Sequence, residues 1–228
     1  MYTLYIANKN YSSWSLRPWI LMTELQIPFE EVLVPFTPDW QPTDFLRFSP
    51  TGKVPCLQSE NDVIWESLAI VEFLAENHTG IWPENTATRA WARCTAAEMH
   101  AGFAALRQIC SMNCGLRVAL NSIPPELAKD LHRLETLWAE GLKRWGGPFL
   151  TGKKFNAVDA FFCPVGFRIQ SYGLKVSPEA LTYAEQLRQL PGMQAWYNAG
   201  LAESWRDPSH EADVSQWGCI VSDLRTTV

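Results

Sequence analysis

The chain has 228 residues, 47% of them hydrophobic, which is enough to bury a sizeable core in one large domain or two smaller ones. Nineteen basic residues stand against 24 acidic ones, a net charge of −5 without the basic footprint that a nucleic-acid partner requires. No apolar run is long enough for a membrane span, and "MYTLYIANKN" lacks the basic and apolar regions of a secretion signal.

In chain order, "YTLYIA" reads as a strand, rich in aromatic and β-branched residues. "SLRPWILMTELQ" reads as a helix with Pro18 in its first turn, where a missing N–H costs nothing. "FEEVLVPF" is a second strand ended by Pro35, and "PTDFLRFS" holds one short helix. "VPCLQS" and "DVIWES" are two short strands joined by a turn at Glu60, Asn61 and Asp62. "ESLAIVEFLAENH" is an amphipathic helix with Leu68, Val71 and Leu74 or Ala75 on one face. The order β-α-β-α-β-β-α is that of a parallel βαβ unit feeding a hairpin.

"HTGIWPENTATR" carries the Gly, Pro and Asn of a linker, and then the pattern changes. One helix is expected from Ala87 to about Asn113 and another from Pro124 to about Trp145. "NAVDAFFCPVGFRIQ", "PEALTYAEQLRQL" and "PGMQAWYNAGLAES" supply three more, so a small α/β domain precedes an all-helical one. The six cysteines lack metal-ligand spacing, and a reduced, cytoplasmic protein is the economical reading. Eleven tryptophans read mainly as core and interface anchors.

Three stretches carry chemistry. In "KVP", Pro55 cannot donate a ladder bond and must stand at the first position of its strand; a cis bond there turns the backbone of Val54 outward, where an extended peptide ligand can pair with it, and a simple loop proline is the alternative. In "ESLAI", a helix begins at Glu66 and Ser67, offering free N–H groups and a hydroxyl to a carboxylate, with the Glu66 carboxylate beside them for an ammonium. An ordinary helix cap explains the same residues. In "NYSSWSLRPW", Ser12 or Ser13 stands where the first helix starts, next to the same strand ends, and a thiol held there ionises more easily. A cap is again the alternative.

These stretches, in this order, resemble those of the cytosolic glutathione S-transferases. "SSWSLRPWI" is similar to the serine-bearing motif of the zeta class and its bacterial relatives, "SPTGKVPCL" to the loop before the family's cis-proline, and "WESLAI" to its glutathione motif. "NAVDAFF" resembles the capping box of the helical domain's central helix, and "LPGMQAWYNAGLAE" its late helix.

The resemblance implies a thioredoxin-like domain over residues 1–78, a linker over 79–88 and an all-α domain over 89–228. It implies glutathione as co-substrate, a small electrophile as the second substrate, and a homodimer. Ser12 matches the catalytic serine and Ser13 the second of the pair. Lys53, Val54, Pro55, Glu66 and Ser67 match the glutathione binders, and Asn156 and Asp159 the structural cap. Trp14 stands where the zeta motif has a cysteine, which counts against the maleylacetoacetate isomerase reaction tied to that motif. The electrophile pocket is expected from Trp14, Met99, Phe103, Arg107 and Cys110, with Leu106, Met112 and His100 nearby.

Two other functions are open. A thiol–disulfide oxidoreductase needs a cysteine at the first helix's N-terminus, but no cysteine precedes Cys56. A non-catalytic binding module on the same scaffold keeps the fold and loses the turnover.

Overall fold

The computed structural model describes residues 1–36 and 41–226. The expected domain ranges also take in 37–40 and 227–228, which lie outside the described residues.

The first half begins with β1 (Tyr2–Ile6), α1 (Ser13–Glu24) and β2 (Phe29–Leu33), followed by the single-turn α2 (Pro42–Phe45). Then come β3 (Cys56–Gln58), β4 (Val63–Trp65) and α3 (Ser67–Asn77). The sheet order is β2-β1-β3-β4. β1 runs parallel to β2, with Tyr2 opposite Phe29, and antiparallel to β3, with Leu4 opposite Leu57. β3 and β4 are antiparallel neighbours joined by a turn that Ser59 and Asp62 close with two hydrogen bonds. This is the thioredoxin-like arrangement. Leu4, Ile6 and Leu57 are fully buried beneath α1 and α3, whose Leu16, Ile20, Ile70 and Leu74 complete the packing.

α1 starts at Ser13, two residues before the sequence reading placed it. Pro18 therefore lies inside the helix rather than in its first turn, and the Trp14 carbonyl loses its helical donor.

The second half holds α4 (Thr86–Ala101), α5 (Ala104–Ile109), β5 (Leu116–Leu120) and α6 (Pro125–Trp145). It continues with α7 (Ala157–Tyr172), α8 (Pro178–Gln189), α9 (Pro191–Ala202), α10 (Pro208–Trp217) and β6 (Gly218–Asp223). The single helix expected from Ala87 to Asn113 is broken. Phe103 takes a left-handed backbone (φ 55°), and a Cβ on Gly102 would meet the Glu98 carbonyl at 2.8 Å. Arg107 folds back and donates to the carbonyls of Met99 (3.2 Å), His100 (3.3 Å) and Gly102, supplying donors that the end of α4 lacks.

The second half is also not all-helical, because β5 and β6 pair antiparallel and bring the C-terminal segment back beside residues 116–120. α7 runs through the middle, buried from Ala157 to Ile169. Its capping box is complete. Asn156 Oδ1 accepts from Val158 N (3.2 Å), and Asp159 accepts from the N–H groups of Asn156 (3.1 Å) and Leu150 (3.0 Å) and from the Tyr183 hydroxyl (2.8 Å). One continuous core joins both halves. No helix among the described residues is long and apolar enough to cross a membrane.

Candidate active site

Residues 8–12 link β1 to α1, and polar side chains tie them down on several sides. Asn8 Oδ1 accepts from Phe36 N (2.6 Å), while its carbonyl accepts from the N–H groups of Tyr11 and Ser12. Glu203, past the end of α9, accepts from Lys9 N (2.6 Å) and Asn10 N (3.2 Å). Trp196 Nε1 donates to the Lys9 carbonyl at 2.7 Å. Gly200 permits the approach of α9, since a Cβ there would stand 3.2 Å from Asn10 N. The second half thus fixes the loop that delivers Ser12 and Ser13.

Both serines are buried to 7% exposure and line a cavity of about 360 Å³. Ser12 is the residue before α1 and makes no side-chain cap, so its hydroxyl is not spent on the helix. It donates to Ser15 Oγ at 2.7 Å instead. Ser13 Oγ accepts from Arg168 Nη2 at 3.1 Å. Trp14, Lys53, Val54, Arg107, Met112 and Arg168 also line this cavity.

A second hollow of about 180 Å³ adjoins it, sharing Trp14, Lys53 and Val54 and adding Thr51, Pro55, Glu66 and Ser67. The Val54–Pro55 peptide is cis. Glu66 takes φ 68°, a left-handed backbone that a residue with a side chain adopts only where its surroundings impose it. His100, from α4, reaches across to this hollow. Its Nδ1 lies 3.5 Å from Ser67 Oγ and its Nε2 3.9 Å from Glu66 Oε2. Burial and the charge of Arg17 push His100 below its ordinary pKa, against the opposing pull of Glu66.

The residues named for the electrophile pocket divide. Trp14 and Arg107 line the larger cavity. Met99, Phe103 and Cys110 do not: they are 1%, 6% and 0% exposed and belong to the core. The break at Gly102–Phe103 redirects the chain after α4, so Phe103 and Cys110 pack into the core, while Met99 lies on the buried face of the last turn of α4 itself. Cys110 contributes only its carbonyl, which accepts from Arg168 Nη1, and burial pushes its thiol up to about 12. Leu106 is likewise core, whereas Met112 lines the cavity.

The sequence reading missed Tyr11, Ser111, Arg168, His210 and Asp213, which also line the larger cavity. Arg168 had a signal, a lone cation on the otherwise apolar helix "AFFCPVGFRI". It is 3% exposed and bonds to a hydroxyl and a carbonyl; burial draws its pKa down to about 10. Arg17, 1% exposed, lies with its guanidinium carbon 4.0 Å from the centre of the Trp14 ring and 5.0 Å from that of Phe161. Burial and then the charges of Arg168 and Arg107 hold it below its ordinary value. The site is therefore electropositive beneath Trp14. The α1 N-terminus adds partial positive charge, and the thiol of Cys56, pushed up to about 11 by burial, lies within a strand rather than at that N-terminus.

Residues 11–77 match the family model of the glutathione S-transferase N-terminal domain. Among curated proteins, the chain is 25% identical to glutathione S-transferase GstB of Escherichia coli over 211 residues, 83% of this chain and 88% of that protein. It is 26% identical to glutathione S-transferase-like protein OpS6 of Beauveria bassiana over 176 residues, 71% and 76% of the two chains. Among solved structures, a glutathione transferase homologue from Burkholderia gl BGR1 with bound glutathione superposes with a TM-score of 0.66 at 22% identity, covering 87% of this chain and 97% of that one. Drosophila melanogaster isozyme E7 superposes with a TM-score of 0.67 at 18% identity, covering 95% and 97%. The fold is that of the glutathione S-transferases, and residues 11–77 match that family's N-terminal domain.

Proposed function

We propose that this protein is a glutathione transferase that binds glutathione along Glu66, Ser67, Val54 and Lys53 and uses its sulfur, as a thiolate, against a small electrophile. The observation that carries the reading is that the two hollows share Trp14, Lys53 and Val54 in their lining, with Ser12 and Ser13 in the larger and Glu66 and Ser67 in the smaller. The γ-glutamyl end takes the smaller hollow. Its ammonium faces the Glu66 carboxylate, and its carboxylate faces Ser67 and the N-terminus of α3. The cysteinyl backbone pairs with Val54, and Lys53 meets the glycine carboxylate.

The sulfur then lies beside Ser12 and Ser13 at the mouth of the larger cavity. Its proton leaves to water, and the thiolate is held by a hydroxyl donor, the α1 N-terminus and the guanidinium of Arg168 behind Ser13. The sulfur lone pair forms a bond to the electrophilic carbon while the leaving group departs with the bonding pair, or, in an addition, the π pair takes a proton from water. Ser13 is the better placed donor. Its lone pair already accepts from Arg168, so its own proton is free to point at sulfur, whereas the Ser12 proton is directed at Ser15.

Trp14, in the place of the zeta-class cysteine, walls both cavities, and conjugation rather than isomerisation is the reaction adopted. Val63 and Trp65, about two-fifths exposed on the sheet-edge strand β4, support a homodimer. Retention on immobilised glutathione followed by turnover with a panel of electrophiles tests the proposal. Retention without turnover leaves a binding module, and failure of both removes the reading.

A further inference from the structure

The C-terminal segment closes one end of the larger cavity with His210 and Asp213 of α10. The His210 ring stacks on Tyr11 at 4.9 Å between centres, and Asp207, the residue capping α10, fixes His210 by its backbone N–H (3.0 Å) and by Nδ1 (2.5 Å). The Tyr11 hydroxyl donates to Glu211 Oε1 at 2.6 Å. Arg225, two residues past β6, meets the same groups. Its Nη1 donates to Glu211 Oε1 and, at 3.2 Å, to the Tyr11 hydroxyl; its Nη2 donates to Glu211 Oε2 at 3.0 Å and Asp223 Oδ2 at 2.6 Å; its Nε donates to Asp223 Oδ1 at 2.8 Å. All three guanidinium nitrogens are thus engaged, in a side chain only 4% exposed.

A separate observation shows that the chain leaves a path for this side chain. A Cβ on Gly115 would fall 2.2 Å from Arg225 Cγ and 2.9 Å from Cδ. Tyr11 is the residue before Ser12 and itself lines the cavity.

We propose that Arg225 is a positioning residue that sets the width of the electrophile end of the larger cavity, by clamping Glu211 of α10 to the Tyr11 hydroxyl. The size selectivity rests on the transferase reading; the clamp itself does not. Arg225 touches no reacting atom and acts through Tyr11 and α10. Loosening it lets α10 swing away and admits bulkier groups on sulfur. The glutathione end, built from Lys53, Val54, Glu66 and Ser67, is untouched.

The test compares Arg225→Gln, Gly115→Ala, which displaces the guanidinium without removing its charge, and Tyr11→Phe, the variant least disruptive to folding. Calorimetry measures the affinity of each for glutathione and for its S-methyl and S-naphthylmethyl thioethers. Hydrogen exchange reads the amides of residues 11–13 and 209–217. The clamp predicts that the affinity ratio of naphthylmethyl to methyl thioether rises about tenfold, the worth of one or two methylenes of fit, with glutathione affinity kept. It also predicts about tenfold faster exchange confined to those two segments. A lower melting temperature with an unchanged ratio or unchanged exchange at 11–13 overturns it, because that marks a merely structural contact. A wild-type protein that binds neither glutathione nor either thioether refutes the transferase reading instead, and exchange still decides the clamp.

Discussion

Arg168 Nη2 donates to Ser13 Oγ at 3.1 Å, across 155 residues of sequence. The contact links the C-terminal part of α7 to the first residue of α1 and leaves the Ser13 proton free. It also brings a buried positive charge close to the proposed position of sulfur. In a poorly solvated cavity, that charge acts with far less screening than it would in water.

Glu66→Gln keeps the shape of the smaller hollow and removes the charge proposed to face the glutathione ammonium. Affinity is expected to fall by about 1.5–3 kcal/mol, roughly 10- to 100-fold, with turnover at saturation nearly kept. Calorimetry and saturation kinetics check the split. Normal affinity with low turnover contradicts the assigned role.

Asp159→Asn sets an amide N–H₂ where a carboxylate oxygen accepts from a buried N–H, and is expected to cost about 2–3 kcal/mol of folding stability. Burial raises the Asp159 carboxyl to about 6 against an unfolded value of about 3.9. Between those values the folded protein holds a proton that the unfolded chain has lost, so this group's contribution to stability falls as pH rises from 4 to 6. The advantage of the wild type over the variant should therefore narrow across that window in denaturant titrations. An advantage that widens there contradicts the assignment.

The protein is expected to sediment as a dimer at micromolar concentration, and Trp65→Glu, on exposed β4, is expected to shift it towards monomer. A 25.9 kDa species for the wild type removes the dimer.

The parts of the site that lie next to one another in sequence were legible there. Pro55 directly before a strand rather than at its first position, Glu66–Ser67 at a helix start and the serines after the first strand each obey local backbone rules, and local rules place them to within a residue. Asn156 and Asp159 were legible for the same reason, because a capping box spans only four residues. Arg168, Tyr11, His210 and Asp213 were not, since each reaches the cavity only through tertiary packing. Phe103 and Cys110 lie in the core because Gly102 and the left-handed Phe103 interrupt the helix that would carry them to the cavity, and Met99 lies there because it falls on the buried face of α4. The β5–β6 pair was missed because its two short strands lie about a hundred residues apart and carry no turn between them.

Whether the start of α1 holds sulfur as a thiolate is read by titrating thiolate absorbance of bound glutathione against pH in the wild type, Ser12→Ala, Ser13→Ala and Arg168→Met. A free thiol titrates near 8.5, and one hydroxyl donor to a charged acceptor is worth about 1.5–3 kcal/mol, or roughly one to two pKa units. The wild-type value is expected well below the free one, raised by about one to two pH units in Ser13→Ala, raised also in Arg168→Met, and little moved in Ser12→Ala. A larger shift in Ser12→Ala than in Ser13→Ala would assign the donor to the other hydroxyl, and a bound thiol that titrates like free glutathione in the wild type would contradict the claim outright.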